Sequence, residues 1–403
     1  MAGNEFLTTS QITYEAARVL VNSLTGAAHC SREYDSQFAV SGAKIGDTIN
    51  VRKPPRFVVR TGRNAAIRDI TETFVALTLS TQAGVDLNWS SKDATLSIDN
   101  FSRRILRPAV APIANKIDED FFALYDRVYN ATGTPGTVPS AISTYLDAGA
   151  RLSEEAAPKD DERFMVVNPL SEARIVDALK GLFHEGTSIT RQYRYGSMGG
   201  MAHGFNWYMG QNVTTHTVGA LGGTPLVNGG SQTGASLVTD GWSNSITGLL
   251  KKGDIFTVAG VRAVNPQSRL STGALRQFVV TADVDSNGSG QATLSIDPPI
   301  TISGASQTVT GSPADNAALT VLGAANTVSP QNLAFHRDFA VLGMADLSMP
   351  SNVAGSRVTD DELGISMRVV EQYSIIEDIS ILRIDVLYGY AVVYPSLACR
   401  IAA

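Results

Sequence analysis

The sequence predicts an α+β protein whose body is interrupted by an inserted block of short strands. Three observations predict it. Residues 98–130 carry one apolar stripe at helical spacing. Residues 213–330 lose every helical period and fill with Gly, Ser, Thr and Asn between short alternating runs. From residue 331 long strand-like runs return, with the texture of the body.

The first helix is expected over residues 10–24, capped by Ser10, with Ile12, Ala16, Val19 and Leu20 on one face. A lone amphipathic helix must lie on other parts of this chain or on another chain. Residues 40–85 read as a long β-hairpin. Asp47–Pro54 and Arg56–Arg60 alternate, and Phe74–Thr81 gives the return strand. This arm carries Lys44, Arg52, Lys53, Arg56, Arg60, Arg63 and Arg68, against only Asp47 before Asp69. A two-stranded arm is marginal alone. It reads either as a solvated hairpin or as an arm docked on an acidic neighbouring surface.

The stripe at 98–130 runs from Ile98 to Val128. Pro108 and Pro112 interrupt it, so a kink or fresh start is expected near Arg107, with a firm helix from Pro112 onward. A continuous helix of this length would span about 45 Å, which suits a structural spine. Residues 141–156 form another helix, capped by Ser140. Arg163–Val167 is a buried strand, Asn168-Pro169 turns into a helix over 171–183, and the glycine-rich loop 196–204 leads to a strand at Phe205–Met209.

The inserted block is best marked by Leu249–Val264, LLKKGDIFTVAGVRAV. Gly253-Asp254 supplies turn chemistry. Ile255, Thr257, Ala259 and Val261 then share one face, and Phe256, Val258 and Gly260 the other. Further strands are expected at Gln277–Val284, Ala292–Ile296 and Ala318–Leu322, with a hairpin turn at Ser286–Gly290. Short strands at this spacing indicate a small barrel or sandwich. After it, Leu333–Leu342, Ile365–Tyr373 and Ile379–Val393 read as strands.

Composition narrows the function. A chain of 403 residues implies two or three domains. A net charge of −6 argues against a general nucleic-acid binder. Two cysteines, Cys30 and Cys399, make no disulfide framework and fit a reducing compartment. No signal peptide and no apolar run of about 20 residues is found, so a soluble, non-membrane protein is expected.

The search for chemistry yields no catalytic, cofactor or metal residues. His29, His184, His203, His216 and His336 lack ligand spacing. The 196–204 loop lacks both phosphate-loop patterns, and there is no GxSxG elbow. The acids Glu154-Glu155, Asp160-Asp161-Glu162 and Asp360-Asp361-Glu362 sit in loops or helix ends, where solvated carboxylates are expected.

The order of parts resembles the major capsid proteins of tailed double-stranded-DNA bacteriophages, with the Hong Kong 97-type capsid fold. Within these it resembles the subfamily of the Salmonella phage P22 coat protein, which carries an inserted β-barrel. The matching residues are Asn4–Ala17, Gly253-Asp254 with Phe256, Ala259, Gly260 and Val261, Asn168-Pro169 after an apolar strand, and Leu387–Tyr394 with Cys399-Arg400-Ile401. The resemblance implies an N-terminal arm and helix at 1–40, an extended hairpin loop at 41–85 and a peripheral domain with spine helix at 86–164. It implies an axial domain in two parts, 165–212 and 331–403, around the barrel at 213–330.

It further implies a virion capsid subunit, assembled in the host cytoplasm as hexamers and pentamers of an icosahedral shell around packaged DNA, without sequence-specific binding. A scaffolding protein, a portal protein and, as an option, a decoration protein are the implied partners. In the family one loop of the insertion makes charged contacts across two-folds; the equivalent here, Leu221–Ser236, is almost uncharged. Arg52, Lys53, Arg56, Arg60 and Arg63 are the candidate cations for subunit contacts. Glu154, Glu155, Asp160 and Asp161 are the candidate acids. The rival readings are a carbohydrate- or surface-binding module built on 213–330, and a hydrolase using His203 and the acids near 160.

Overall fold

A computed structural model describes residues 9–32, 48–59, 63, 72–90, 107–179, 198, 200–351, 353–359 and 365–403. The chain divides into two compact units. Met1–Lys53, Phe74–Phe121 and Ala340–Val393 build the first; Pro54–Thr73, Phe122–Phe339 and Tyr394–Ala403 build the second. Elements are numbered along the chain.

In the first unit, helix α1 (Thr9–Ser23) buries Ile12, Ala16 and Leu20, as its periodicity requires. It packs on strands β17 (Ala354–Thr359) and β18 (Ser366–Ser374). β18 pairs with the 14-residue β19 (Ile379–Val392), which also pairs with β3 (Thr81–Ser90) and with β16 (Ala340–Met344). The arm forms β1 (Thr48–Lys53) and β2 (Thr73–Thr78), a separate two-stranded sheet. The single return strand expected over 74–81 therefore ends early, and β3 joins another sheet.

Helix α2 (Arg107–Phe122) takes Pro112 inside it. Its firm turns begin at Arg107 rather than Pro112: Pro108 sits in the first turn, where its N–H would have no partner anyway, and Pro112, past that turn, leaves the Pro108 carbonyl without its helical bond. The expected helix to residue 130 stops at Phe122; Ala123–Arg127 tightens to a 3-10 turn and Val128 is extended. Residues 98–106 lie outside the described residues, as do the hairpin tip around Arg60 and the acids 360–362. Asp118, buried on α2, accepts the backbone N–H groups of Thr25, Gly26 and Ala27 at 2.7, 3.2 and 2.9 Å. The spine helix thus caps the turn that follows α1.

In the second unit, β4 (Ala131–Gly133), β20 (Ala398–Ala402), β15 (Val328–His336), β5 (Arg163–Val167), β7 (Phe205–Met209) and β6 (Gly200–Ala202) form one sheet in that order. β8 (Thr215–Thr217) also pairs with β15. Helices α3 (Ile142–Glu154) and α4 (Pro169–Leu179) cover it, with Tyr145, Leu152 and Ile175 packed against Met165, Phe205, Trp207 and Ile401. The N-cap of α3 is Ala141, not Ser140, and no side chain caps it. The expected run 333–342 is split: β15 belongs here and β16 to the first unit, with a 3-10 turn at Arg337–Phe339 between them. The turn is Arg337-Asp338-Phe339, of which only Phe339 is buried, so the polar pair marks the break between two apolar strands.

The barrel is a six-stranded antiparallel sheet: β14 (Leu319–Val321), β11 (Ile255–Val264), β12 (Ser271–Val280), β13 (Ala292–Ile300), β10 (Gly234–Trp242) and β9 (Gly223–Val227). A bridge between Leu226 and Ala318 joins its two edges. Phe256, Val258, Val261, Phe278, Leu294 and Ile296 fill the interior, each contributing about 1.5–3 kcal/mol of burial. The faces expected for β11 hold only to Val258. Between Thr257 and Arg262 the strand advances five residues while β12 advances two, from Gln277 to Leu275. The three extra residues, an odd number, swap inside and outside, so Val261 joins Phe256 in the core. Gly260 carries the positive φ of +81° at this bulge.

Partial burial holds the His29 ring down at about 4, against about 6.5 in an unfolded chain. Between those values only the unfolded chain binds the proton, so stability falls as pH falls through the window. Urea unfolding from pH 7 to 4.5 should show a steeper acid-side loss for the parent than for His29→Gln; equal slopes would contradict this.

Candidate assembly interface

The turn at Lys251–Asp254 becomes a buried joint between barrel and sheet. Asp254 Oδ2 accepts the backbone N–H groups of Lys251 (2.7 Å) and Gly219 (3.0 Å), which nails the turn to the strand entering the barrel. Asp254 Oδ1 lies 2.8 Å from His216 Nε2, and His216 Nδ1 lies 3.1 Å from the Tyr125 hydroxyl. Both ring nitrogens of His216 thus have a partner, Asp254 at Nε2 and Tyr125 at Nδ1. Arg400, on β20, donates from Nη2 to the Gly253 carbonyl at 2.7 Å, and its guanidinium stands 5.4 Å from the Tyr125 ring centre. Burial pushes the Arg400 pKa down to about 10.

Gly253 has φ +96°, and a Cβ there would press on the His216 and Tyr125 rings at 3.3–3.4 Å. Both ring nitrogens of His216 are occupied within the chain, and His216 and Asp254 are buried. The row therefore binds barrel and sheet together through bonds within the chain.

A second set of tethers lies along β12. Arg276 pairs with buried Glu155 (Nη1 to Oε1, 2.5 Å) and stacks over the Tyr129 ring at 4.5 Å. Burial raises the Glu155 pKa, and Arg276 works against that rise. Gln277 bonds both the N–H and the carbonyl of Ala131 through its side chain, at 2.8 and 2.9 Å, and Asn265 Nδ2 donates to the Glu154 carbonyl at 2.8 Å.

The candidate contact residues divide. Arg52, Arg56 and Arg63 are exposed, Lys53 is half-buried, and Arg60 lies outside the described residues. Glu155 is committed to Arg276. Glu154 lies 3.5 Å from Arg151. Asp160 stands 3.3 Å from His336 Nε2 and accepts the Glu162 N–H at 3.0 Å. Burial would raise the Asp160 pKa, but that N–H and His336 bring it below the usual carboxylate value. Asp161 is exposed.

Asp160, Glu162 and His336 offer atoms within 4.8 Å of one another. Arg337 neutralises Glu162 at 2.9 Å, and His336 Nδ1 accepts from the Asp338 N–H, so the cluster reads as an ion-pair knot. His203, the histidine of the hydrolase reading, sits exposed in the turn between β6 and β7, and the acid at 160 faces His336 instead. Sequence reasoning missed Arg276 and Arg400. Arg400 lies inside a fully buried strand, and that placement was the available signal; Arg276 follows the polar half of its strand and gave none.

Residues 61–400 match the family described as P22 coat protein, gene protein 5. The chain belongs to this coat-protein family. It is a major capsid protein of the Hong Kong 97-type fold, a structural subunit of the phage virion that self-assembles into an icosahedral shell. Among solved structures, it is similar to that of Mycobacterium phage Che8, with 14% identity over 94% of this chain and 90% of that one, at a TM-score of 0.44. The mature capsid of bacteriophage PhiM1 matches with 10% identity over 89% and 82% of the two chains, at 0.40. The CUS-3 coat protein I-domain matches with 24% identity over 25% of this chain and 95% of that domain, at 0.18. No curated protein matches. No helix among the described residues is long and apolar enough to cross a membrane.

In this coat protein Arg276→Met strands the Glu155 charge in the interior and should destabilise the chain by about 3–5 kcal/mol. Adding Glu155→Leu should restore most of that loss in guanidinium unfolding. A single variant as stable as the parent would remove the pair from the barrel's seat.

Proposed function

We propose that this coat protein serves the shell as a non-catalytic building block whose arm, residues 41–85, lies across a neighbouring copy. One observation carries the reading. The arm is a two-stranded sheet, which cannot cover its own apolar side chains, and Phe57, Val59 and Phe74 are exposed on or beside it. In a shell made of copies of one chain, the cover is another copy. The cations of the arm, Arg52, Lys53, Arg56, Arg60 and Arg63, then meet acids of that copy. Glu154, Asp160 and Asp161 are candidates; Glu155 is already held by Arg276. Exposed pairs contribute up to about 1 kcal/mol each, so they set register more than strength.

The remaining roles follow the same reading. The segment 1–40 is the N-terminal arm and helix, and 86–164 is the peripheral domain. The parts 165–212 and 331–403 are read as the axial domain around five- and six-fold centres, where copies form pentamers and hexamers; within them Ala340–Val393 falls in the first unit with the spine helix. The barrel at 213–330 aids folding. Scaffolding and portal proteins join during assembly, with a decoration protein as an option. A net charge of −6 keeps packaged DNA from adhering to the wall. A non-catalytic role is supported by His216 and His336, which are buried and bonded to carboxylates of the same chain.

Arg56→Glu with Arg60→Glu should give folded subunits that fail to close into shells. Electron microscopy of the protein expressed with its scaffolding partner reads this directly. Normal shells from the doubly reversed chain would exclude the basic arm as a contact.

A further inference from the structure

The five most exposed large apolar side chains among the described residues fall into two groups. Ile376 (97%) and Ile375 (85%) sit together at the tip of the β18–β19 hairpin. Val59 (87%), Leu270 (71%) and Phe57 (66%) belong to the second unit. There Arg269, in the β11–β12 turn of the barrel, donates from Nη2 to the Phe57 carbonyl. That bond holds the arm's root beside the barrel turn and makes one composite patch from Arg56, Phe57, Val59, Arg269 and Leu270.

The hairpin tip is a formed structure. The Tyr373 hydroxyl donates to Asp378 Oδ1 at 2.7 Å, and Asp378 closes the turn at φ +51°. Turns favour Gly, Asn and Asp; two adjacent isoleucines there gain nothing within the chain. The charges are complementary. The segment 371–378, EQYSIIED, has Glu371, Glu377 and Asp378 and no cation. The segment 52–63, RKPPRFVVRTGR, has Arg52, Lys53, Arg56, Arg60 and Arg63 and no acid, and Arg269 adds to it across the barrel turn. Two acidic tips meeting each other would repel, which disfavours tip-to-tip packing.

We infer that the Ile375-Ile376 hairpin tip of one copy docks on the composite patch that the arm's root and the barrel turn form on a second copy. This rests on the shell-forming reading and adds Glu371, Glu377 and Asp378 of the tip to the acids of a neighbouring copy that the arm's cations meet. It also gives the inserted barrel a part in subunit contact, through Leu270 and Arg269.

The test is a mixing experiment in the full-length protein. Leu270→Cys and Ile376→Cys are prepared separately, combined, allowed to assemble and oxidised. The native Cys30 and Cys399 are buried and do not compete. Cross-linked dimers are expected from the mixture and not from either protein alone. Dimers from Ile376→Cys alone would mean tips pack on tips, and would overturn the inference; so would a mixture without dimers while the parent forms shells. A second variant covers the case where cysteines disturb assembly. Ile376→Asn should keep the parent's thermal unfolding and lower the yield of closed shells by roughly tenfold or more; an unchanged yield would overturn the inference. Failure of the parent to form shells would count against the shell-forming reading itself, and dimers in its smaller oligomers would still read the contact.

Discussion

The carboxylate of Asp254 is the point on which the second unit depends. It is buried, and it binds two backbone N–H groups and a histidine that reaches Tyr125. An ionised group in the interior is tolerated only when its surroundings satisfy it on every side. Here the satisfaction comes from several places in the chain: the strand before the barrel, the turn within it and the 3-10 turn after the spine helix. Arg400 adds the sheet through the adjoining Gly253 carbonyl. Apolar burial holds the barrel together, but greasy surfaces slide. The directional bonds at Asp254, with those of Arg276 and Gln277, fix where the barrel stands on its sheet.

The first unit solves a different problem. Its segments come from three distant parts of the sequence, so its core cannot form from local contacts. Asp118 binds the turn after α1, more than ninety residues away. The Tyr388 and Tyr390 hydroxyls donate to Asp120 and to the Ile117 carbonyl, and so bind the long strand β19 to the same helix. The spine helix is thus less a rod than a rack on which remote segments are hung. Such long-range closure is slow to form.

Much of this was legible from pattern. The α1 face, β18 and β19 followed from periods of 3.6 and 2, and β5 from its short apolar run, which is buried on both faces. The inserted block was legible from its loss of helical period. Strands β9 and β10 were not, since GTPLV and GASLVTDGW are rich in Gly and Thr and carry Pro or Asp, which reads as loop. The bulge in β11 was invisible because alternation continues on paper while the backbone slips. The helix ends early at Phe122, and Tyr125 in the turn that follows reaches His216 and Arg400, contacts no local window contains. The candidate contact acids were chosen by charge alone. Glu155 could not be told from Glu154 without knowing that Arg276 reaches it through the fold.

The two ends of the barrel segment leave the sheet side by side. Thr217 faces Val328 across the β8–β15 pair, Val218 donates to the Thr327 carbonyl, and Asn326 donates to the Gly219 carbonyl. The chain therefore departs and returns through a doorway one hydrogen bond wide. To the sheet, the hundred or so residues beyond that doorway are topologically equivalent to a tight turn. What lies outside can be enlarged without shifting the register inside, provided the bonds of Asp254, Arg276 and Gln277 are kept. The sheet thus carries a socket, and the barrel is the fitting seated in it.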